Sequence, residues 1–157
     1  MTDRSPDVTR AAERLVTTAR AALRVRRAAL FLRTADGQGL ACVATSGAGN
    51  PDAWVGQRLR AGVGVAGRAV AEGRPVWSPD LLADPRTPLA PWLKERLEAE
   101  GLRSVLAAPL QTAAGTLGAL GVLDAAGRTY TDDDITRLST LAAESAPTLR
   151  DAFAPRP

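Results

Sequence analysis

The chain of 157 residues contains no histidine, a single cysteine and a single methionine. Without histidine there is no His-based triad, no imidazole general base, no His metal ligand and no His-ligated haem. Cys42 alone can form neither an internal disulfide nor a four-Cys zinc site. Aromatic residues make up only 4% of the chain, so a core must be built mainly from Leu, Val and Ala. Lys94 is the only lysine, and the positive charge is otherwise carried by arginine. No run approaches the roughly 18 apolar residues of a membrane helix. The start, Met1-Thr2-Asp3-Arg4, lacks the apolar core of a signal peptide, so a cytoplasmic protein is expected, with no membrane partner.

What remains is ordinary for one folded domain. The apolar share is 45% and the net charge +3. The length fits a single unit over 1–157, with a core over about 8–152 and a flexible Pro-rich tail at 154–157. The positive excess is local, because residues 1–36 hold eight arginines against four acids. Arg20, Arg24, Arg26, Arg27 and Arg33 form a cluster without interleaved aromatics or a helix-turn-helix. A solvated or partner-facing helix end is the expected reading, and nucleic acid is not the expected partner.

The hydrophobic pattern predicts elements in a clear order. Ser5 and Pro6 read as the N-cap and first residue of a helix. Its apolar stripe is Val8, Ala11, Ala12, Leu15, Val16, Ala19, Ala22 and Leu23. Ala28–Leu32 and Gly39–Thr45 read as a hairpin closed at Asp36-Gly37. Residues 59–67 read as a glycine-rich loop running into a short helix at about Val65–Glu72, and Pro75-Val76-Trp77 starts another strand. Gly62, Gly64 and Gly67 are not followed by Lys-Ser/Thr, so they read as a tight turn rather than a phosphate loop. An irregular stretch, 81–91, precedes a helix at Trp92–Glu100. Two strands, Ser104–Leu110 and Gly115–Asp124, form a second hairpin. Gly118 and Gly121 thin its second strand or admit another backbone. Thr131-Asp132-Asp133-Asp134 reads as a capping box opening a last helix. Its expected buried side is Ile135, Leu138, Leu141, Ala142, Ser145, Leu149, Ala152 and Phe153, with a kink or stop near Ala143–Pro147. The class is α+β, with a mostly antiparallel sheet of five to six strands.

Several segments together resemble the GAF domain family, small-molecule sensory domains of signalling proteins. They are Gly62–Val76, Asp80-Leu81-Leu82-Ala83-Asp84-Pro85-Arg86, Gly101–Leu110, and Gly115–Leu123 followed by Tyr130–Asp134. The resemblance covers about 8–152. It implies N- and C-terminal helices on one sheet face, and a ligand pocket on the other face under short helices and loops. It also narrows the subclass. Cys42 is followed by Val43, not His, which argues against a covalent bilin. A haem lacks its axial His, a sulfoxide reductase lacks its cysteines, and Leu123-Asp124-Ala125-Ala126 stands where cyclic-nucleotide binders carry Asn-Lys-Phe.

The expected function is therefore a non-catalytic sensor without a cofactor, binding an unidentified small molecule and signalling through its terminal helices. The alternative is an interaction or dimerisation scaffold with a vestigial pocket. Trp77, Asp80, Trp92, Arg103 and Ser104 are the candidate ligand-binding residues. The two tryptophans could stack on a planar ligand, Arg103 could bind an anion, and Arg103 with Asp80 or Asp84 could equally be a structural bridge. Trp54 reads as packing and Cys42 as a small buried hydrophobe, with a redox role as the sharper alternative. Asp80, Asp84 and Asp124 show no convergent acid pair, so catalysis is not expected. The amphipathic terminal helices point to a homodimer. With no output region in the chain, a signalling protein acting in trans is the expected receiver, and Met1 and the tail favour a complete small protein.

Overall fold

The computed structural model describes residues 6–153; Ser5 and the tail lie outside them, as do the side chains of Ala152 and Phe153. The elements are α1 (Pro6–Leu23), β1 (Arg27–Arg33), β2 (Gly39–Gly47), β3 (Arg58–Arg60), α2 (Gly64–Glu72), β4 (Val76–Ser78), α3 (Pro91–Glu100), β5 (Ser104–Thr112), β6 (Gly115–Asp124) and α4 (Asp132–Phe153). Short 3-10 turns lie at Pro51–Ala53 and Leu81–Ala83. The six strands form one sheet in the order β3-β2-β1-β6-β5-β4, and every neighbouring pair is antiparallel.

Strand alternation sorts this sheet into two cores. Leu30 and Leu32 of β1, Leu106 and Leu110 of β5, and Leu120 and Val122 of β6 meet α1 and α4. Ala29, Phe31, Cys42, Ala107 and Ala119 face the other way, under α2, α3 and the loops. On the helical side α1 presents Ala12, Leu15, Val16, Ala19 and Leu23, and α4 presents Leu138, Ala142, Ala146 and Leu149. Both terminal helices thus lie on one face, as expected. The stripe of α1 is narrower than its apolar spacing suggests, since Ala22 is exposed.

Local chemistry explains most element ends. The Thr131 hydroxyl accepts from Asp134 N at 3.1 Å, and Thr131 N donates to the Asp134 carboxylate at 3.0 Å. That is the reciprocal capping box. In the first hairpin the Asp36 carboxylate accepts from Gln38 N at 3.0 Å while Gly37 takes φ 72°. Gly101 closes α3 with φ 67°, its N–H donating to Leu97 O. Gly118 admits another backbone, because a Cβ there would stand 2.0 Å from Phe31 O.

The structure corrects two expectations. The expected stop near Ala143–Pro147 does not occur: α4 continues as helix through Pro147, which sits on its exposed side with Ala143. There the ring displaces one backbone bond at a place where water can take the freed carbonyl. The segment 59–67, expected as a loop running into a helix, opens with most of β3, while α2 starts at Gly64, one residue before the expected Val65. Only pairing with Gly39–Ala41 of β2 makes three residues at 58–60 a strand.

Candidate functional site

The five candidate residues are not gathered into one site. In β4, Val76 belongs to the core under α2, so the alternating Trp77 points to the α4 side. It packs edge-on against Tyr130, with ring centroids 5.8 Å apart. Ser104 donates from Oγ to Arg128 O at 2.7 Å. Arg103 donates from Nη1 to Leu97 O at 3.0 Å and Leu102 O at 2.8 Å, tying down the C-terminal end of α3. It pairs with neither Asp80 nor Asp84 in the described structure. Asp80 precedes the turn Leu81–Ala83, half-buried, and its Oδ1 has no hydrogen-bond partner. Its neighbour Asp84 is clamped by Arg86, whose backbone N–H donates at 2.9 Å and whose guanidinium donates at 3.2 and 3.3 Å. The Arg86 guanidinium foremost, with its N–H and the Ser78 hydroxyl, holds the Asp84 carboxyl down at about 2, against burial that pushes it up.

Across the sheet centre, the space beneath α2 and α3 is filled. Trp54, Leu81, Leu97 and Leu102 are all buried there, packed with Phe31, Val65, Ala69 and Leu93. Beside them lies a polar cluster that sequence reasoning missed. Arg27, expected on a solvated helix end, is 2% exposed. Its Nε donates to Glu100 Oε1 at 2.8 Å, its Nη1 to Thr45 Oγ1 at 2.8 Å, and its Nη2 to Ala48 O. Its guanidinium also lies 4.9 Å from the ring centroid of Trp54, whose Nε1 donates to the other Glu100 oxygen at 2.8 Å. Nε, Nη1 and Nη2 of Arg27 each donate within the cluster, so it ties β1, β2 and α3 together. The one sequence signal was position: Arg27 opens an apolar strand. Its partner Glu100 lies 73 residues away, with no local pattern joining them.

Trp92 is the candidate residue that does reach open space. It sits in the first turn of α3, rests on Phe31 (6.4 Å) and Trp54 (5.7 Å, edge to face), and donates from Nε1 to Arg58 O at 2.7 Å. Beside it a groove of about 580 Å³ runs between the hairpin turn, β3 and the N-terminal end of α3. Its apolar lining includes Leu40, Leu59, Val63, Leu89 and Trp92, and its charged lining is Asp36, Arg58 and Arg60. The Thr34 hydroxyl donates to Asp36 at 2.5 Å and, with Gln38 N and the nearby Arg58, holds that carboxyl below its ordinary value. Cys42, on β2, is 1% exposed in the core nearby. Among the described residues no group of three or more His, Cys, Asp or Glu side chains could hold a metal ion, and no helix is long and apolar enough to cross a membrane.

A family model described as the GAF domain matches residues 7–149. The chain therefore belongs to the GAF domain family, sensory domains of signalling proteins. Solved structures agree on the fold. The chain is similar to the GAF domain of a phosphoenolpyruvate-protein phosphotransferase from Coxiella burnetii, with 22% identity, TM-score 0.80, and 96% of this chain and 86% of that one covered. It is similar to the second GAF domain of DevS from Mycobacterium smegmatis, with 16% identity, TM-score 0.72, and 93% and 95% covered. It is also similar to a type II free methionine-R-sulfoxide reductase from Thermoplasma acidophilum, with 16% identity, TM-score 0.70, and 94% and 98% covered. No curated protein matches the chain. GAF domains are generally non-catalytic, and the reductase among these relatives is a departure from that rule.

Proposed function

We propose that the chain is a non-catalytic sensory module that takes a small molecule in the groove beside Trp92 and passes its occupancy to the terminal helices. The observation that carries this reading is where half-covered apolar surface collects. Val63, Leu89, Ala90 and Trp92 are all partly buried, and all four line the one groove. Such surface next to a few fixed polar groups is the usual make-up of a small-molecule site. The candidate site thus contracts from five residues to Trp92 and its neighbours.

A route to the helices is built into the packing. Trp92 meets Trp54, Trp54 donates to Glu100, and Glu100 holds Arg27, the first residue of β1. Only three residues separate Arg27 from the end of α1 at Leu23. A ligand shifts this chain of contacts only if it binds two arrangements with different affinity. A thermal-shift screen of small molecules tests the reading. A saturating stabiliser is expected on wild-type protein and is expected to be lost in Trp92→Ala. A stabiliser that acts equally on both proteins would sink it.

The filled sheet centre supports a second reading, the scaffold. In it the groove is vestigial and α1 and α4 pair with a second copy. Its support is weaker, because the outward faces carry Arg10, Glu13, Arg14, Thr17, Arg137 and Glu144, and Val55, on neither helix, is the exposed large hydrophobic residue among those described. Light scattering at high protein concentration tests the pairing: a monomer mass removes the scaffold, and a dimer mass broken by Arg14→Glu, with no small molecule stabilising the protein in the thermal-shift screen, favours it.

A further inference from the structure

Resting on the groove reading above, we infer that the groove selects a small organic anion with a flat apolar body, an aryl carboxylate or sulfonate. Three ionisable side chains line it, and they are not equivalent. The Asp36 carboxylate is already committed to the Thr34 hydroxyl and Gln38 N. Both bonds fall on Oδ1 and fix the carboxylate in the hairpin turn, and its charge is offset in part by the neighbouring Arg58. Arg58 and Arg60 are exposed, and their guanidinium groups make no hydrogen bond or ion pair among the described residues. Two exposed guanidinium charges against one carboxylate, which Arg58 already offsets in part, leave the groove's mouth net positive and attractive to anions. The strand pattern places both arginines on the same side of β3, with Leu59 turned into the core between them. They therefore act at the same rim. The N-terminal end of α3, capped by no side chain and without an acid in its first turn, adds a field of the same sign.

The apolar lining sets the body of the ligand. Val63, Leu89 and the Trp92 ring are side chains that water covers only in part. The Trp92 N–H is satisfied by Arg58 O, so the indole offers the ligand its carbon surface rather than a donor. A flat ring laid on that surface with its charge at the arginine rim satisfies both halves. A polyanion such as a nucleoside triphosphate would bring more charge than two exposed arginines neutralise, and a neutral apolar molecule would leave the arginines unused.

Two dyes of nearly the same shape test this: anilinonaphthalene sulfonate, an anion, and N-phenyl-1-naphthylamine, its neutral counterpart. Each is titrated by fluorescence into wild-type protein, into Arg58→Gln/Arg60→Gln, and into Val63→Trp, which fills the groove. Leu89→Trp replaces Val63→Trp if that variant fails to fold by circular dichroism. The expected result is saturable one-to-one binding of the anion, weakened roughly five- to tenfold in the double Gln variant and by added salt, with the neutral dye indifferent to both. Equal binding of the two dyes, unmoved by the Gln variant, overturns the inference about charge while leaving the groove as a binding site. Binding of neither dye, or binding untouched by the filled groove, overturns the groove reading as well.

Discussion

Replacing Glu100 by alanine should unfold this domain more readily than any other single change of a charged side chain at the end of α3. The substitution removes the counter-charge of Arg27 and the acceptor of the Trp54 indole, each held at 2.8 Å. Arg27 is only 2% exposed, so its guanidinium keeps the Thr45 and Ala48 oxygens but sits without a negative partner. Breaking a buried pair from one side costs about 3–5 kcal/mol. Glu100 itself is 23% exposed, so water reaches part of the vacated space and the lower end applies, about 3 kcal/mol. For a domain of this size that lowers the melting temperature by on the order of 10 °C. The assay is urea and thermal unfolding followed by circular dichroism, with Glu98→Ala, on an exposed face of the same helix, as the reference. Removing both charges with Arg27→Met/Glu100→Leu should be less damaging than Glu100→Ala alone, because no orphan charge remains. A Glu100→Ala protein within about 1 kcal/mol of wild type would show that the four groups do not act as a network.

Three further outcomes are expected. Gly118→Ala should destabilise by about 3 kcal/mol or more, since its Cβ would stand 2.0 Å from Phe31 O, whereas Gly121→Ala, whose nearest contact is 3.7 Å, should stay within about 1 kcal/mol; chemical denaturation of both separates them. Asp84 has its folded carboxyl lowered to about 2, so its contribution is complete above about pH 4 and is lost as the pH falls toward 2. Its partner Arg86 is 68% exposed, so the effect is about 1 kcal/mol, and the stability gap between wild type and Asp84→Asn should close between about pH 4 and about pH 2; a gap that widens in acid reverses the assignment. Cys42, at 1% exposure, should react with a thiol reagent only as fast as the domain opens and at the free-thiol rate in urea, and fast reaction of the folded protein would revive a redox role.

The sequence by itself determined what depends on neighbours along the chain. The stripe of α1 from Val8 to Leu23, Ala22 apart, the Asp36-Gly37 turn and the Thr131 capping box all act within a few residues, and each stands where periodicity and turn chemistry put it. The same locality made the family motifs legible over most of the chain. Tertiary structure decided everything that depends on side and partner. A three-residue strand such as β3 has no periodicity of its own, and only its ladder with β2 reveals it. Trp77 looked like pocket lining until the register of β4 on β5, with Trp77 opposite Leu106, sent it to the α4 face. Pro147 looked like a helix breaker until its face proved to be the wet one. The absence of histidine told which chemistries to set aside. Where an arginine finds its glutamate, and which tryptophan is left facing open space, is fixed by contacts between residues far apart in sequence, and no local pattern encodes them.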